Sequence, residues 1–196
     1  MPLFKLRKTQ GPRALELAMA GLKLGKHVLQ IRGQDTGLIA DLAKIVGLSG
    51  QACAVAETEH AKKLFKKSAG RTGVSVEVKV APVSSLPYED NCFDLVVIKH
   101  VLGELTQNER VLCLQETLRV ARVGGRCLVI DPETRGGLGA IFSRQSVDPR
   151  YLAGGAQQAL KHEGFRAVRI LGESEGLKFT EGTKPLVLKR LLGAAS

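Results

Sequence analysis

The sequence predicts a single α/β domain with a doubly wound, mostly parallel sheet, helices on both faces and a C-terminal antiparallel hairpin. Short apolar runs alternate with segments of helical periodicity, which is typical of parallel strands joined by helices. The run Phe93–Ile98 is apolar on both faces after Asp94, as expected of a strand covered by helices on each side. Glycine-rich turns separate these segments, and 22 of the 196 residues are glycine.

The first half of the chain predicts three helices and two strands in alternation. Residues 13–22 are strong helix formers and predict the first helix. His27–Ile31 and Ala52–Ala56 are short apolar runs that predict buried strands. Between them, Leu38–Val46 carries apolar residues at helical spacing. His60–Ala69 predicts a further helix, with four lysines in its sequence.

The next segments predict two more strands around a capped helix. Val74–Val80 alternates valine with polar residues, which is the two-residue period of a strand. Thr106 and Glu109 form the pattern of a capping box and predict a helix start. We expect Gly124–Gly125 to end that helix, because glycine adopts left-handed backbone conformations at low cost. Cys127–Ile130 then predicts a buried strand.

The last third of the chain has a different organisation. Residues 131–149 are rich in Gly, Pro and Arg and predict a long loop. Ala156–His162 predicts a short helix, and Phe165–Leu171 and Leu186–Leu191 predict strands. Leu177–Thr180 lies between those strands and is expected to pair within a hairpin at the sheet edge.

Composition indicates the cellular compartment and argues against a metal site. The four cysteines show no metal-ligand spacing, so we expect buried thiols and no metal. Apolar runs are too short for a membrane span, and the N-terminus lacks the apolar core of a secretory signal. These observations predict a cytoplasmic protein. Nothing in the sequence indicates the oligomeric state.

The net charge of +10 permits several kinds of partner. A basic protein can bind nucleic acid, an anionic membrane surface or an anionic substrate, or can simply be a soluble basic protein. The lysines within His60–Ala69 share a helix face and leave nucleic acid as an alternative. Aromatic residues suited to base stacking are not interleaved with them, so nucleic acid is not favoured.

The turns that follow the predicted strands are the candidate binding positions, since ligands of doubly wound sheets bind beyond the carboxyl ends of the strands. Residues 32–37 (RGQDTG) join a strand to a helix start, and their glycines permit close approach of a ligand. Glu57 follows the second strand, where a carboxylate can accept hydrogen bonds from a ribose. Residues 82–90 and the pair Lys99–His100 follow later strands.

Two longer segments, in order, resemble the class I S-adenosylmethionine (SAM)-dependent methyltransferases. Residues 85–96 (SLPYEDNCFDLV) are similar to the family signature LPF-x-D-x-S-F-D-x-V. Residues 116–126 (ETLRVARVGGR) are similar to E-x-x-R-V-L-K-P-G-G-R. Within the superfamily, the chain looks closest to methyltransferase type 11 and the ubiquinone/menaquinone-biosynthesis C-methyltransferases. The resemblance covers residues 12–131 well.

The resemblance implies a Rossmann-like methyltransferase fold and SAM as cofactor. It implies one methyltransferase-like domain over residues 1–196, with an N-terminal helix (1–22), a cofactor-binding core (23–131) and a variable loop and hairpin (132–196). His100 is the candidate general base, because imidazole titrates near neutral pH, and Glu104 is a weaker one. The cofactor-binding residues that it implies are Gly33, Asp35, Thr36, Gly37, Glu57, Thr58, Val83, Ser84 and Lys99.

Three positions depart from the family pattern. Gln30 stands where the first strand usually ends with an acid. Asp35 takes the place of the middle loop glycine, and Pro82 takes the place of the acid that contacts adenine. Three functions therefore stay open. They are a SAM-dependent methyltransferase of a small molecule, a catalytically inactive methyltransferase-like binding or scaffold protein, and an RNA-directed methyltransferase. The acceptor would be chosen by residues 1–22 and 132–160, which carry no motif.

Overall fold

A computed structural model describes residues 13–133 and 148–186 of the chain. The helices in those ranges are α1 (Ala14–Ala20), α2 (Thr36–Val46), α3 (Glu59–Thr72), α4 (Gln107–Val120) and α5 (Pro149–His162). The strands are β1 (His27–Ile31), β2 (Gln51–Ala56), β3 (Glu77–Val80), β4 (Phe93–Lys99), β5 (Ala121–Pro132), β6 (Arg166–Ser174) and β7 (Leu177–Thr183).

The strands form one sheet in the order β3-β2-β1-β4-β5-β7-β6. The five strands from β3 to β5 are parallel, and β7 pairs antiparallel with both β5 and β6. The strand order reverses between β1 and β4, which is the switch point where such sheets bind ligands. The predicted fold class and its C-terminal hairpin are therefore confirmed.

Apolar side chains cover both faces of the sheet. In β4, Leu95 and Val97 point to one face and Val96 and Ile98 to the other, and none of the four is accessible to solvent. The first face packs against helices α1, α2 and α3, and Phe65 of α3 is part of that core. The second face packs against α4 and α5. This two-sided burial explains why the central strands are almost continuously apolar.

Strand β3 is shorter than the alternating valines predict. The predicted strand Val74–Val80 begins only at Glu77. Gly73 caps α3 with φ of +68°, and the Val74 N–H donates to the carbonyl of Ala69. The Val74 N–H therefore bonds to the end of α3 and is not available to pair with a neighbouring strand.

The prediction that Gly124–Gly125 ends the fourth helix is wrong. Helix α4 ends at Val120, and β5 starts directly at Ala121, which pairs with Phe93. A Cβ atom at Gly125 would lie 2.9 Å from the carbonyl oxygen of Phe93 and 2.8 Å from that of Arg122. Gly125 therefore permits close backbone approach inside a strand.

The remaining element predictions have mixed outcomes. The capping box is present, since Thr106 accepts from the Glu109 N–H while the Glu109 carboxylate accepts from Thr106. Helix α5 begins earlier than Ala156 and is broken at Gly155, where φ is +58°. The predicted strand Leu186–Leu191, apart from Leu186 itself, and most of the predicted loop 131–149 lie outside the described residues.

Among the described residues there is no helix that could span a membrane, no metal-ligand cluster and no disulfide. None of the described helices is both long and apolar enough to span a membrane. Within residues 13–133 and 148–186, no group of three or more His, Cys, Asp or Glu side chains is arranged to hold a metal. All four cysteines are free, and Cys53, Cys113 and Cys127 are buried.

Candidate cofactor site at the carboxyl ends of the strands

The predicted binding turns meet at one edge of the sheet. The loop 32–35 follows β1, Glu57 follows β2, and Lys99 is the last residue of β4. Strands β2 and β4 lie on either side of β1. A ligand that contacts both Glu57 and Lys99 must therefore cross the loop after β1, a span of about 10 Å for two strand spacings.

Gly33 brings the loop close to the neighbouring strand. Its φ is +94°, and a Cβ atom there would lie 3.1 Å from the carbonyl oxygen of Lys99. Arg32, beside it, also has a positive φ, of 48°. The left-handed backbone conformation and the close approach to β4 both favour glycine at this position.

Gln30 supports the loop from below. Its side-chain amide donates to the carbonyls of Arg32 and Asp35, at 3.2 Å and 3.0 Å. An ionised acid at this position could not donate these bonds, so the amide of Gln30 suits this loop in a way that a carboxylate would not. The Gln30 side-chain oxygen is buried and has no hydrogen-bond partner among the residues that the structure describes.

Asp35 caps helix α2 and forms ion pairs across the site. One carboxylate oxygen accepts from the Gly37 N–H at 3.1 Å, and the other accepts from the Lys99 ammonium at 2.8 Å. Burial acts to raise the pKa of Asp35, but the hydrogen bond from Lys99 and the charges of Lys99 and Arg13 outweigh it and lower the pKa. Asp35 is therefore a carboxylate at neutral pH.

Lys99 is a buried cation between two carboxylates. Its ammonium donates to Glu16 of α1 at 2.9 Å and to Asp35 at 2.8 Å. Only 10% of the Lys99 side chain and 8% of the Glu16 side chain are exposed. Burial acts to lower the pKa of Lys99, but the hydrogen bonds and charges of Asp35 and Glu16 outweigh it and raise the pKa.

Arg13 fastens the start of α1 over the same site. Its guanidinium donates to Asp41 of α2 at 2.9 Å and 2.7 Å, and it lies 3.4 Å from Asp35. A Cβ atom at Gly37 would come within 2.7 Å of this guanidinium. Gly37 therefore makes room for Arg13.

Sequence reasoning did not find Arg13 or Glu16. Both are distant in sequence from the residues that they bind, by 83 positions for Glu16 and Lys99. The available signal was a single acid inside the otherwise apolar helical run 13–22.

Glu57 lies at the opposite end of the site. Its side chain is 57% exposed, and one carboxylate oxygen lies 2.6 Å from the Arg32 guanidinium. The carboxylate thus stands at the end of β2, as predicted, where it is exposed and paired with Arg32.

The other predicted cofactor residues have evident local roles. Thr58 caps helix α3 by accepting from the Ala61 N–H at 3.1 Å, and Thr36 is the first residue of α2. Val83 is buried in the core on the α4 side of the sheet, and Ser84 next to it is half-buried. Thr36 adjoins Asp35 in the chain, and no described contact joins Thr58, Val83 or Ser84 to Asp35 or Lys99.

His100 follows Lys99 and sits at the switch point. Its backbone has φ of +55°, and its N–H donates to the carbonyl of Ile130 at 2.9 Å. Burial and the charge of Lys99 lower the pKa of His100, so its imidazole is neutral at physiological pH. Its Nε2 atom is buried and accepts or donates no hydrogen bond within the described part of the chain. Glu104 is exposed and lies beyond it.

The two segments that resemble the methyltransferase family bind each other. Glu116 of α4 accepts from the Leu86 N–H at 2.7 Å. Arg119 donates to the carbonyls of Leu86 and Tyr88 and to Asp90, at 2.7 to 3.0 Å. These bonds hold the segment between β3 and β4 against the last turns of α4.

The strand order and this edge of charged loops define an α/β domain built like the class I methyltransferases. A sequence profile of the family described as "Methyltransferase domain" matches residues 33–129. The ubiquinone/menaquinone biosynthesis C-methyltransferase UbiE of Escherichia fergusonii is 31% identical over 132 residues, which are 66% of this chain and 48% of that protein. The chain belongs to the class I SAM-dependent methyltransferase superfamily, whose cofactor is SAM.

Further comparisons agree with this placement. UbiE of Cronobacter sakazakii is 30% identical over 57% of this chain and 45% of its own length. The chain thus spans about half the length of these curated relatives. A crystal structure of a SAM-dependent methyltransferase from Aquifex aeolicus superposes with a TM-score of 0.69 at 23% identity, over 87% of this chain and 88% of that chain. The crystal structure of the [4+2]-cyclase SpnF has a TM-score of 0.62 at 18% identity, over 87% and 78%. These two likenesses show the fold.

Proposed function

We propose that this chain binds SAM at the carboxyl ends of β1, β2 and β4 and transfers its methyl group to a small molecule. The observation that supports this most is the distribution of charge along the edge. An exposed carboxylate, Glu57, stands on one side of β1, and the oppositely charged pair Lys99 and Asp35 stands on the other. SAM carries a ribose diol next to its adenine and, beyond the sulfonium, a methionine part that ends in an ammonium and a carboxylate.

The residues present fit that cofactor. Glu57 would accept hydrogen bonds from the ribose hydroxyls. Lys99 would donate to the carboxylate, and Asp35 would accept from the ammonium. The buried Gln30 oxygen near the end of β1, which has no partner among the described residues, is a further acceptor. Gly33 brings the loop after β1 close to Lys99, between the two ends of the site.

The chain's own residues would act mainly by orientation. SAM, when bound, supplies an electrophilic methyl group on a sulfonium. The protein needs to align the acceptor with that methyl group and to exclude water. We propose that His100, whose neutral imidazole has an uncommitted Nε2 atom, takes a proton from acceptors that need deprotonation. We also propose that residues 1–196 act as one domain in the cytoplasm, where buried free thiols persist.

Calorimetric titration with SAM and with S-adenosylhomocysteine tests the cofactor proposal. Glu57→Ala is expected to weaken both affinities by about 10- to 100-fold, because hydrogen bonds to a charged group contribute about 1.5–3 kcal/mol. Glu59→Ala is the matched control, since Glu59 lies two residues away and pairs only with Lys62 in the described structure. Unchanged affinity in Glu57→Ala would exclude the ribose assignment.

A binding or scaffold protein without catalysis is the second candidate. The observation that favours it is that ion pairs among Arg13, Asp35 and Lys99 cross the site where the methionine end would lie. The same titration separates the two functions. If neither SAM nor S-adenosylhomocysteine binds the unmodified chain or its variants, the scaffold function is the better one, and protein partners should be sought.

A nucleic-acid partner is a third candidate and rests on helix α3. Lys63, Lys66, Lys67 and Arg71 are exposed on this helix and form no ion pair with other described residues. A titration with single-stranded RNA at two salt concentrations tests it. Binding that weakens steeply with salt and is lost in Lys63→Gln/Lys67→Gln would favour RNA. If no RNA binding is detected, the nucleic-acid partner is excluded and a small molecule remains the proposed methyl acceptor.

A further inference from the structure

Glu16 of α1 is an acid in an unusual position. The apolar side chains of α1 pack toward the sheet, yet Glu16 is almost fully buried among them and reaches the Lys99 ammonium at 2.9 Å. Helix α1 has only seven residues, and Arg13 before it provides no side-chain cap. The helix is thus held largely by packing and by its ion pairs to α2 and β4.

Two carboxylates contact the Lys99 ammonium, although one would balance its charge. Asp35 lies 2.8 Å from the same ammonium and, unlike Glu16, has a second role as the cap of α2. Without Glu16, Lys99 and Asp35 would still form a balanced pair. Glu16 is therefore the carboxylate that can leave Lys99 without stranding a buried cation, whereas the loss of Asp35 would also remove the α2 cap.

We propose that Glu16 is an internal competitor of the cofactor, because its carboxylate holds Lys99 in the place that the carboxylate of the cofactor's amino-acid end takes on binding. This inference rests on the proposed function of the site. Binding exchanges one carboxylate for another on the same ammonium, and the ligand's ammonium takes a position beside Asp35. The exchange moves Glu16, and α1 with it, away from β4.

Competition of this kind has a selective consequence. A ligand with the amino-acid end must displace Glu16, whereas a ligand with only the adenosine end need not. When the competent state is populated about one-tenth of the time, the apparent affinity is lowered about tenfold. Removal of the Glu16 carboxylate should therefore strengthen the binding of ligands that carry the amino-acid end and leave the binding of other ligands unchanged.

The experiment compares two ligands on three proteins by calorimetry. S-adenosylhomocysteine carries the amino-acid end, and 5′-methylthioadenosine shares its adenosine and thioether but lacks that end. We expect Glu16→Gln to bind S-adenosylhomocysteine about tenfold more tightly than the unmodified chain does, and 5′-methylthioadenosine within about twofold of it. Circular dichroism and thermal unfolding establish that the variant is folded.

Asp41→Asn is the matched control. Asp41 binds Arg13 at 2.7 Å, so its loss loosens the same helix, but Glu16 remains on Lys99. We expect the affinity of Asp41→Asn for S-adenosylhomocysteine to stay within about twofold of that of the unmodified chain. Equal tightening in both variants, or equal tightening of both ligands, would show that α1 covers the site sterically and would overturn the competition.

The outcomes separate this inference from the proposed function. If the unmodified chain binds S-adenosylhomocysteine and Glu16→Gln binds it no more tightly, the competition is wrong and the cofactor proposal stands. If the unmodified chain binds neither ligand but Glu16→Gln binds S-adenosylhomocysteine, the competition is strongly supported. If every protein fails to bind either ligand, both proposals fail together.

Discussion

Buried charges in this protein occur in two settings with different consequences. Lys99 is surrounded by carboxylates, so its charge is stabilised despite burial. Asp131, at the end of β5, has a neutral partner instead, the Tyr151 hydroxyl of α5 at 2.5 Å. Burial raises the pKa of Asp131 to about 6 from an ordinary value of 3.8, although the Tyr151 hydrogen bond and the charges of Lys178 and Arg110 oppose the shift.

The Asp131 carboxyl should make folding stability depend on pH. Its pKa is higher in the folded than in the unfolded chain. The protonated carboxyl therefore destabilises the folded state least below about pH 4, and the free energy of unfolding falls as pH rises from about 4 toward 6. At pH 7.5 the ionised group costs about 3 kcal/mol, at 1.36 kcal/mol per pKa unit. We expect Asp131→Asn to be more stable than the unmodified chain at pH 7.5, with the difference shrinking below pH 4.

Urea denaturation of both proteins at pH 3.5 and pH 7.5 measures that difference. Tyr151→Phe is the companion variant, because it removes the hydrogen bond that stabilises the ionised carboxylate. Its loss of stability should be larger at pH 7.5 than at pH 3.5. A difference between Asp131→Asn and the unmodified chain that does not change with pH would contradict the assignment.

At the scale of elements, helix α4 organises the loop after β3. Arg119 binds two backbone carbonyls of that loop, and Glu116 binds the Leu86 N–H. Arginine can serve several acceptors at once because its donors are held in a planar fork. Both motifs therefore have a structural role in this chain.

Loss of the Arg119 side chain should open this loop locally. We expect Arg119→Met to speed amide hydrogen exchange at Leu86 by at least about tenfold, since one buried hydrogen bond is worth about 1 kcal/mol and several are lost. Gln115→Met is the control, because Gln115 is on the same helix and its side chain, within the described part of the chain, bonds to Glu163 at an exposed site. Unchanged exchange at Leu86 in Arg119→Met would mean that Glu116 alone holds the loop.

At the scale of the whole molecule, ligand binding should appear as thermal stability. S-adenosylhomocysteine at 100 times its dissociation constant is expected to add about 2.7 kcal/mol to the free energy of unfolding. For a chain of this size, that corresponds to a rise in Tm of about 5–10 °C. Differential scanning calorimetry measures the rise, with adenine at the same concentration as the control ligand. No shift at a saturating concentration would contradict the cofactor proposal.

The sequence by itself determined the order and type of most elements. Periodicity located β1, β4 and the capping box that starts α4, because these signals arise from neighbouring residues and from the burial of whole faces. The same reasoning placed Glu57 and the loop 32–37 at strand ends, where parallel topology brings them to one edge. Strand β3 was predicted too long because the Val74 N–H bonds back to the end of α3, and the Gly124–Gly125 pair was misplaced because β5 already pairs with β4 at Ala121.

Only the tertiary structure decided which charges meet at that edge. Glu16 reaches Lys99 across 83 positions, and Arg13 reaches Asp41 across 28. Such ion pairs leave no periodic pattern in the sequence, because they depend on how α1 packs over the sheet. A buried charge has to find an opposite partner wherever the fold offers one. The sequence thus specified the frame of the binding edge, and the packing of a short helix decided which carboxylate now holds Lys99.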